Sequence, residues 1–242
     1  EEKKIYPFAE KGARFSSIDE IAKMTDIIII AVKPKDITHV LYSLKGNLNS
    51  SQIVVSIAAG VTMSFISKIL GNSIPVVRVM PNIAISVGEG ICVLSTGSVI
   101  DAGKIKFIEK IFSSVGKVIE LPEDKFDAVT ALSGSGPAYV YVFIQGLIKG
   151  GEKAGLSPEV SRKLATQTVL GAAKMVQESE ESLEELIKSV ATPGGTTVAA
   201  LDVLKEGKMI DLISKAIEEA AKRANKISLE IVYENKSCEN KR

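Results

Sequence analysis

The stretch Ile27-Ile28-Ile29-Ile30-Ala31-Val32 decides the fold, because it is a nearly unbroken β-branched run with the length of one strand. A half-buried strand alternates polar and apolar residues, whereas this run shows no alternation. Such runs are typical of strands in parallel sheets, which helices cover on both faces. Residues 27–32 therefore predict a strand that is buried on both sides, and the run ends at Lys33-Pro34.

Helix and strand patterns alternate on either side of this run. Upstream, the sequence predicts a helix end at 8–12, a short strand at 13–15 and a helix that opens with a capping box from Ser17 to Glu20. Downstream, it predicts helices at 36–44, 63–70 and 101–113, and strands at 53–57, 76–80, 90–95 and 117–121. This alternation predicts an α/β, doubly wound sheet.

The chain changes character after Pro122, where strand patterns give way to helical ones. Helices are predicted at 126–132, 137–154, 158–178, 182–190, 198–204 and 209–232. We therefore expect a sheet domain over residues 1–122 and an all-helical domain over residues 123–242. Several of these helices are apolar on more than one face, which predicts burial against another subunit in an obligate oligomer.

Composition limits the possible partners and cofactors. The 242 residues carry 30 basic and 29 acidic side chains, so a net charge of +1 provides no broad field for nucleic acid or an anionic membrane. The longest apolar runs have strand length and the N-terminus is charged, so we expect a cytoplasmic protein. Two cysteines and the single His39 are too few for a metal cluster, and we expect no metal site.

Three strand ends carry compact, unusual turns. These turns are Ala31-Val32-Lys33-Pro34, Ala58-Ala59-Gly60 and Met80-Pro81-Asn82. Ligands of doubly wound sheets bind beyond the carboxyl ends of the strands, where small residues let the backbone approach a flat ring. Lys33 could face phosphate or solvent there, and Asn82 could hydrogen-bond an amide. The alternative for each turn is an ordinary loop that binds no ligand. No Gly-x-Gly-x-x-Gly turn, which usually holds a pyrophosphate, occurs near the N-terminus.

A second candidate site is the polar corner Thr192-Pro193-Gly194-Gly195-Thr196-Thr197, which interrupts the helical half. Proline and two glycines break one helix and expose backbone N–H groups. Thr196 and Thr197 stand at the start of the next helix, where N–H groups without intrahelical partners favour an anion. The corner therefore predicts a site for a small carboxylate, although an N-capped turn between two helices also explains it.

Five segments, taken together, closely resemble the pyrroline-5-carboxylate reductases. They are Ala31-Val32-Lys33-Pro34, Ala58-Ala59-Gly60-Val61, Arg78-Val79-Met80-Pro81-Asn82, Leu132-Ser133-Gly134-Ser135-Gly136-Pro137-Ala138-Tyr139 and Pro193-Gly194-Gly195-Thr196-Thr197. Five such motifs in the right order are specific, and the resemblance extends to about Leu229. It implies a Rossmann domain over 1–122 that binds NADPH or NADH. It also implies a helical domain over 123–242 that forms a homodimer, with a ring of dimers in some members.

The resemblance assigns a role to each candidate site. Cofactor-binding residues, which border the nicotinamide and ribose, would be Ala31, Val32, Lys33, Pro34, Ala58, Ala59, Gly60 and Asn82. Substrate-binding residues, which hold the carboxylate and ring nitrogen of an imino acid, would be Thr192, Gly194, Gly195, Thr196 and Thr197, with Thr197 catalytic. The implied reaction is hydride transfer to the C=N carbon of 1-pyrroline-5-carboxylate, which gives L-proline in the last step of proline biosynthesis. A protonated imine is already electrophilic, so no strong general base is needed.

The sequence departs from the family in two places. The family's N-terminal strand, Gly-rich turn and following helix have no counterpart here, so we expect that the sequence is truncated at its start. Ile18 stands where many members have an asparagine that contacts the cofactor ribose. The choice between NADPH and NADH therefore stays open.

Two other functions remain as alternatives. A 3-hydroxyacid dehydrogenase of the same two-domain plan would use a lysine on the helix after the Gly-rich Ser133 turn, but residues 137–143 contain no lysine. A non-catalytic oligomerisation or regulatory protein would account for the missing Gly-rich turn.

Overall fold

The computed structural model describes residues 6–97 and 100–239, and its contacts group the chain into two compact units. The first unit comprises residues 1–134 together with 220–242, and the second comprises residues 135–219. The contacts thus divide the chain later than residue 122 and return the C-terminal residues to the first unit. The domain limits 1–122 and 123–242 stay a prediction from the sequence.

A five-stranded sheet forms the centre of the first unit. Its strands lie in sequence order and are β1 Ile27–Ile30, β2 Ile53–Ser56, β3 Val76–Pro81, β4 Gly90–Thr96 and β5 Gly116–Glu120. The first three strands are mutually parallel, β4 is antiparallel to β3, and β5 is parallel to β4. The predicted α/β sheet is therefore confirmed, with one antiparallel pairing in it.

The helices of the first unit lie close to their predicted positions. They are α1 Tyr6–Ala9, α2 Ile18–Met24, α3 Ile37–Leu44, α4 Met63–Leu70, α5 Ala102–Ser113 and α6 Phe126–Val129. The predicted capping box opens α2, since Glu20 N donates to Ser17 Oγ at 3.3 Å and Ser17 N donates to Glu20 Oε2 at 2.7 Å. These two bonds satisfy N–H groups that the first turn of a helix leaves without partners.

Three local predictions were wrong. Residues 13–15 form no strand, and among the described residues β1 pairs with β2 alone. The edge strand is also not buried on both faces, since Ile29 is 42% exposed. The helix predicted at 126–132 ends at Val129 and continues as one π-helical turn over Thr130–Gly134.

The core of the first unit lies on both faces of the sheet, as strands β2 and β3 require. Their side chains alternate between two apolar clusters: Val54 and Val76 belong to one, and Val55 and Val77 to the other. A third, smaller cluster contains Met80, Val93, Phe126 and Val129, with Ala59 packed against it. Burial on both faces explains why β2 and β3 read as continuous apolar runs.

The second unit is helical, with α7 Gly136–Lys153, α8 Pro158–Glu178, α9 Leu183–Val190, α10 Thr196–Glu206 and the first part of α11 Met209–Glu239. All of its residues are described, and Ser161 and Ala165 are the only buried ones. Large apolar side chains such as Val142, Leu164 and Leu170 stay exposed. A single copy of this unit therefore lacks an apolar interior of its own. Over the described part of the chain, no helix combines the length and hydropathy that crossing a bilayer requires.

Candidate active site

A tight turn shapes the corner that precedes α10. Gly195 N donates to Thr192 O at 2.9 Å, which closes a four-residue turn with Pro193 and Gly194 at its centre. Gly194 has φ 73°, the positive value that the third position of a type II turn requires. Proline before it supplies the fixed negative φ of the second position. The sequence Thr-Pro-Gly-Gly thus determines the geometry of this corner.

Gly195 joins the turn to the helix and has no room for a side chain. A Cβ at this position would lie 2.6 Å from Thr192 Oγ1, which is closer than any real contact. Gly195 is also the N-cap residue of α10, and no side-chain hydrogen bond caps that helix. The first helical bond runs from Ala199 N to Gly195 O at 3.4 Å. The N–H groups of the preceding first turn are therefore available to a ligand.

The helix begins at Thr196, two residues before its predicted start. Both Thr196 and Thr197 consequently lie in the first turn of α10. Thr192 and Thr196 are exposed, whereas Thr197 is half-buried. The structure thus brings all five predicted substrate residues together in one corner, whose polar groups are hydroxyls and backbone N–H groups. These groups suit a carboxylate and a ring nitrogen.

The predicted cofactor residues lie at the carboxyl ends of β1, β2 and β3. Because β1, β2 and β3 are parallel, their carboxyl ends are adjacent. This places the turns 31–34, 58–60 and 81–82 side by side. Ala31 and Lys33 are exposed there, while Val32 and Pro34 are half-buried. The small residues Ala31, Ala58, Ala59 and Gly60 at two of these strand ends are consistent with the close approach of a planar ring.

Packing explains part of the turn after β2. Ala58 is buried in the same apolar cluster as Val54, and Gly60 is buried with φ 75°. A Cβ on Gly60 would lie 2.9 Å from Ile227 Cγ2 of α11. Gly60 therefore has a structural reason to be glycine, whether or not it borders a cofactor. Ala59 is half-buried and is the member of this turn that stays partly accessible.

Asn82 is held by the neighbouring strand. Its Oδ1 accepts a hydrogen bond from Ile91 N of β4 at 3.3 Å. This bond orients the carboxamide, so that its NH₂ group is the part left to donate to a ligand. The expectation that Asn82 could hydrogen-bond an amide stays a prediction with a consistent geometry.

An ion pair between the buried Arg78 and the partly exposed Glu123 was not predicted from the sequence. Arg78 of β3 is 3% exposed, and its Nη1 lies 3.1 Å from Glu123 Oε1. The same oxygen accepts Met63 N at 2.7 Å, and the Phe126 ring centroid lies 4.7 Å from Arg78 Cζ. A lone arginine inside the apolar run of β3 was the available signal, because buried charges are almost always paired.

Other candidate groups have ordinary surroundings. Cys92 is buried, and burial raises the pKa of its thiol, which disfavours the reactive thiolate. His39 is exposed on α3. Within residues 6–97 and 100–239, no three His, Cys, Asp or Glu side chains are placed to hold a metal ion.

Two family models match the chain. The model for pyrroline-5-carboxylate reductase dimerisation matches residues 123–227, and that for NADP oxidoreductase, coenzyme F420-dependent, matches residues 1–60. Pyrroline-5-carboxylate reductase 1 of Bacillus subtilis is 41% identical over 206 residues, which are 85% of this chain and 69% of that protein. The chain belongs to the pyrroline-5-carboxylate reductase family. The Arabidopsis thaliana reductase is 40% identical over 88% of this chain and 77% of its own length.

Solved reductase structures have the same fold. The Plasmodium falciparum pyrroline carboxylate reductase with NADP bound matches with a TM-score of 0.83 and 36% identity over 88% of this chain and 81% of that one. The Coxiella burnetii pyrroline-5-carboxylate reductase matches with a TM-score of 0.87 and 36% identity over 94% and 85%. The predictions of the family, the Rossmann-type fold, an NAD(P)H-dependent reductase and its reaction are thereby confirmed over the 3-hydroxyacid dehydrogenase alternative.

Proposed function

We propose that the corner Thr192–Thr197 is where this reductase holds 1-pyrroline-5-carboxylate while it is reduced to L-proline. The observation that carries this proposal is the N-terminus of α10, which no side chain caps and which follows a turn fixed by Pro193 and Gly194. Free N–H groups and the positive end of the helix dipole favour the substrate carboxylate. The exposed hydroxyls of Thr192 and Thr196 add donors beside it.

Thr197 would contact the ring nitrogen of the substrate. Thr197 is half-buried and lies in the first turn of α10, which also carries the N–H groups proposed for the carboxylate. When bound, a nicotinamide would supply the hydride that the C=N carbon accepts. The ring nitrogen becomes more basic as the imine is reduced to an amine. A hydrogen bond from the Thr197 hydroxyl to this nitrogen would therefore strengthen along the reaction. Because an alcohol is a poor acid, Thr197 would orient the ring nitrogen by a hydrogen bond and would not act as a general acid.

The strand-end turns would border NADPH or NADH. The exposed residues Ala31 and Lys33, the half-buried Val32, Pro34 and Ala59, and the oriented carboxamide of Asn82 support this assignment. Ala58 and Gly60 are buried, so they would set the conformation of the turn. Lys33 is the cation that would meet a cofactor phosphate at this edge.

We further propose that the enzyme is an obligate homodimer formed through the helical unit, with a ring of dimers as its larger assembly, and that it is cytoplasmic. The match to a dimerisation family and the exposed apolar side chains of α7 and α8 support the dimer. The domain limits 1–122 and 123–242 complete the proposal, and the match beginning at residue 123 supports them.

Steady-state kinetics on the full-length enzyme test the proposed function. The enzyme should oxidise NADPH or NADH in the presence of 1-pyrroline-5-carboxylate and form proline. It should not reduce NADP⁺ or NAD⁺ with a panel of 3-hydroxyacids. The opposite pattern would return the dehydrogenase alternative.

A further inference from the structure

The last helix continues beyond the segment that the dimerisation family defines. The family model ends at residue 227, whereas α11 extends to Glu239. From Ala220 onward this helix belongs to the first unit, together with the sheet. This part of α11 therefore includes the last residues of the family segment as well as those that follow it.

This part of α11 lies directly against the turn after β2. The nearest atoms to a Cβ built on Gly60 are Ile227 Cγ2 at 2.9 Å, and Ser228 N and Oγ, both at 3.5 Å. Ile231, one helical turn further on, is 8% exposed and joins the apolar cluster of Ala58 and Val61. The helix thus contacts the turn at Gly60, and its next turn contributes Ile231 to the cluster that contains Ala58 and Val61.

A hydrogen bond fixes the helix along its axis. Asn225 Nδ2 donates to Asp127 Oδ2 of α6 at 2.9 Å. The buried Ala224 beside it brings the α11 backbone close to the unit. Polar and apolar contacts thus both hold α11 against the first unit, and close packing makes its position sensitive to side-chain volume.

We propose that Ile227 and Ile231 are positioning residues for the nicotinamide cofactor, acting through the turn Ala58-Ala59-Gly60. The inference rests on the proposed function, because it takes this turn to border the cofactor. Gly60 holds a left-handed conformation, and α11 is the element packed against it. Removing side-chain volume from Ile231 lets the turn shift, and displacements of about 1 Å can cost up to about a hundredfold in a positioned reaction. The imino-acid corner is not part of this contact, so substrate binding should be spared.

A graded series at Ile231 tests the proposal on full-length enzyme. Calorimetry should give an NADPH dissociation constant that rises about tenfold for Ile231→Ala and about two- to threefold for Ile231→Val, following the volume removed. KM for NADPH should rise in parallel, and KM for 1-pyrroline-5-carboxylate should stay within about twofold of the unmodified enzyme. Leu229→Ala is the matched control, because Leu229 lies on the same helix and is 52% exposed.

Each outcome decides the question. A lower melting temperature with unchanged NADPH affinity would make Ile231 a purely structural residue and overturn the proposal. Equal increases of both KM values would do the same. If Ile231→Ala does not fold, Ile231→Val decides by the same criteria. If the unmodified enzyme binds NADPH but does not reduce the imine, the proposed function fails while the calorimetric series still tests the positioning role.

Discussion

Glu123 Oε1 lies 3.1 Å from Arg78 Nη1 and joins the middle of β3 to the first residue of the dimerisation family segment. Arg78 faces two other buried polar residues across the sheet, since its register partners are Ser56 of β2 and Ser95 of β4. Its Nη2 has no hydrogen-bond partner among the described residues. The arginine therefore depends on Glu123 and the Phe126 ring for compensation of its charge.

Removing the carboxylate of Glu123 should destabilise the protein strongly. Glu123→Ala leaves Arg78 buried without its counter-ion and Met63 N without its acceptor, which should lower the free energy of unfolding by about 3 kcal/mol. Urea unfolding measures this change. The control is Glu159→Ala, which breaks the exposed pair with Lys163 and should cost less than about 1 kcal/mol. Similar losses in both variants would mean that the Arg78 pair contributes no more than a surface pair.

Thr197→Val separates a functional hydroxyl from a structural one. Valine keeps the volume and the Cβ branching, so stability should change by no more than about 1 kcal/mol. If the hydroxyl binds the reacting nitrogen, kcat should fall about ten- to a hundredfold with smaller changes in KM. Thr196→Val, on the exposed neighbour, is the control in the same assay. An unchanged kcat for Thr197→Val would make the corner a capped turn and no more.

Gly116→Ala should destabilise the far edge of the sheet. Gly116 opens β5 with φ 153°, and a Cβ there would lie 2.0 Å from Gly90 O on β4. Either β4 and β5 must separate or the backbone around Gly116 must change conformation. We expect this to lower the free energy of unfolding by about 1–3 kcal/mol. Lys117→Ala, on the exposed adjacent residue, should stay within about 0.5 kcal/mol. Thermal unfolding of both variants is the measurement, and equal melting temperatures would contradict the contact.

The capping box of α9 should show in the acid titration. Ser182 N and Oγ each donate to Glu185 Oε2 at 2.8 Å, and these bonds hold the pKa of Glu185 below its ordinary value. A carboxyl whose pKa is lower in the folded state contributes stability above its unfolded pKa of about 4.3, and loses it as pH falls through the folded pKa. NMR titration should therefore give Glu185 a pKa below the ordinary value of a glutamate. The Ser182→Ala variant should raise this pKa part of the way towards the ordinary value. No rise in that variant would mean that the Ser182 hydroxyl does not set the pKa.

Assembly gives a further test. The helical unit exposes apolar side chains on several helices, so we expect a dimer that buries more than about 2,000 Å² and does not dissociate without unfolding. Light scattering at micromolar concentration measures the mass. A stable, folded monomer would leave the exposed faces of α7 and α8 without an explanation.

The sequence was sufficient where local pattern and burial agree. The apolar runs at β2 and β3 and the Thr-Pro-Gly-Gly corner carry their own geometry, so the structure differs there by only one or two residues. Contacts between distant segments could not be predicted in this way. The sequence does not show that Arg78 contacts Glu123 or that Gly60 contacts Ile227. These residues are far apart along the chain and come together only when it folds.

The return of α11 to the sheet unit sets the order in which the chain can mature on the ribosome. Gly60 leaves the ribosome well before Ile227 and Ile231, which pack over its turn. Contacts of such large sequence separation form slowly, and incomplete domains expose apolar surface until they close. The turn after β2 therefore stays uncovered until α11 has left the exit tunnel, and only then can the nascent chain complete the site proposed for the cofactor.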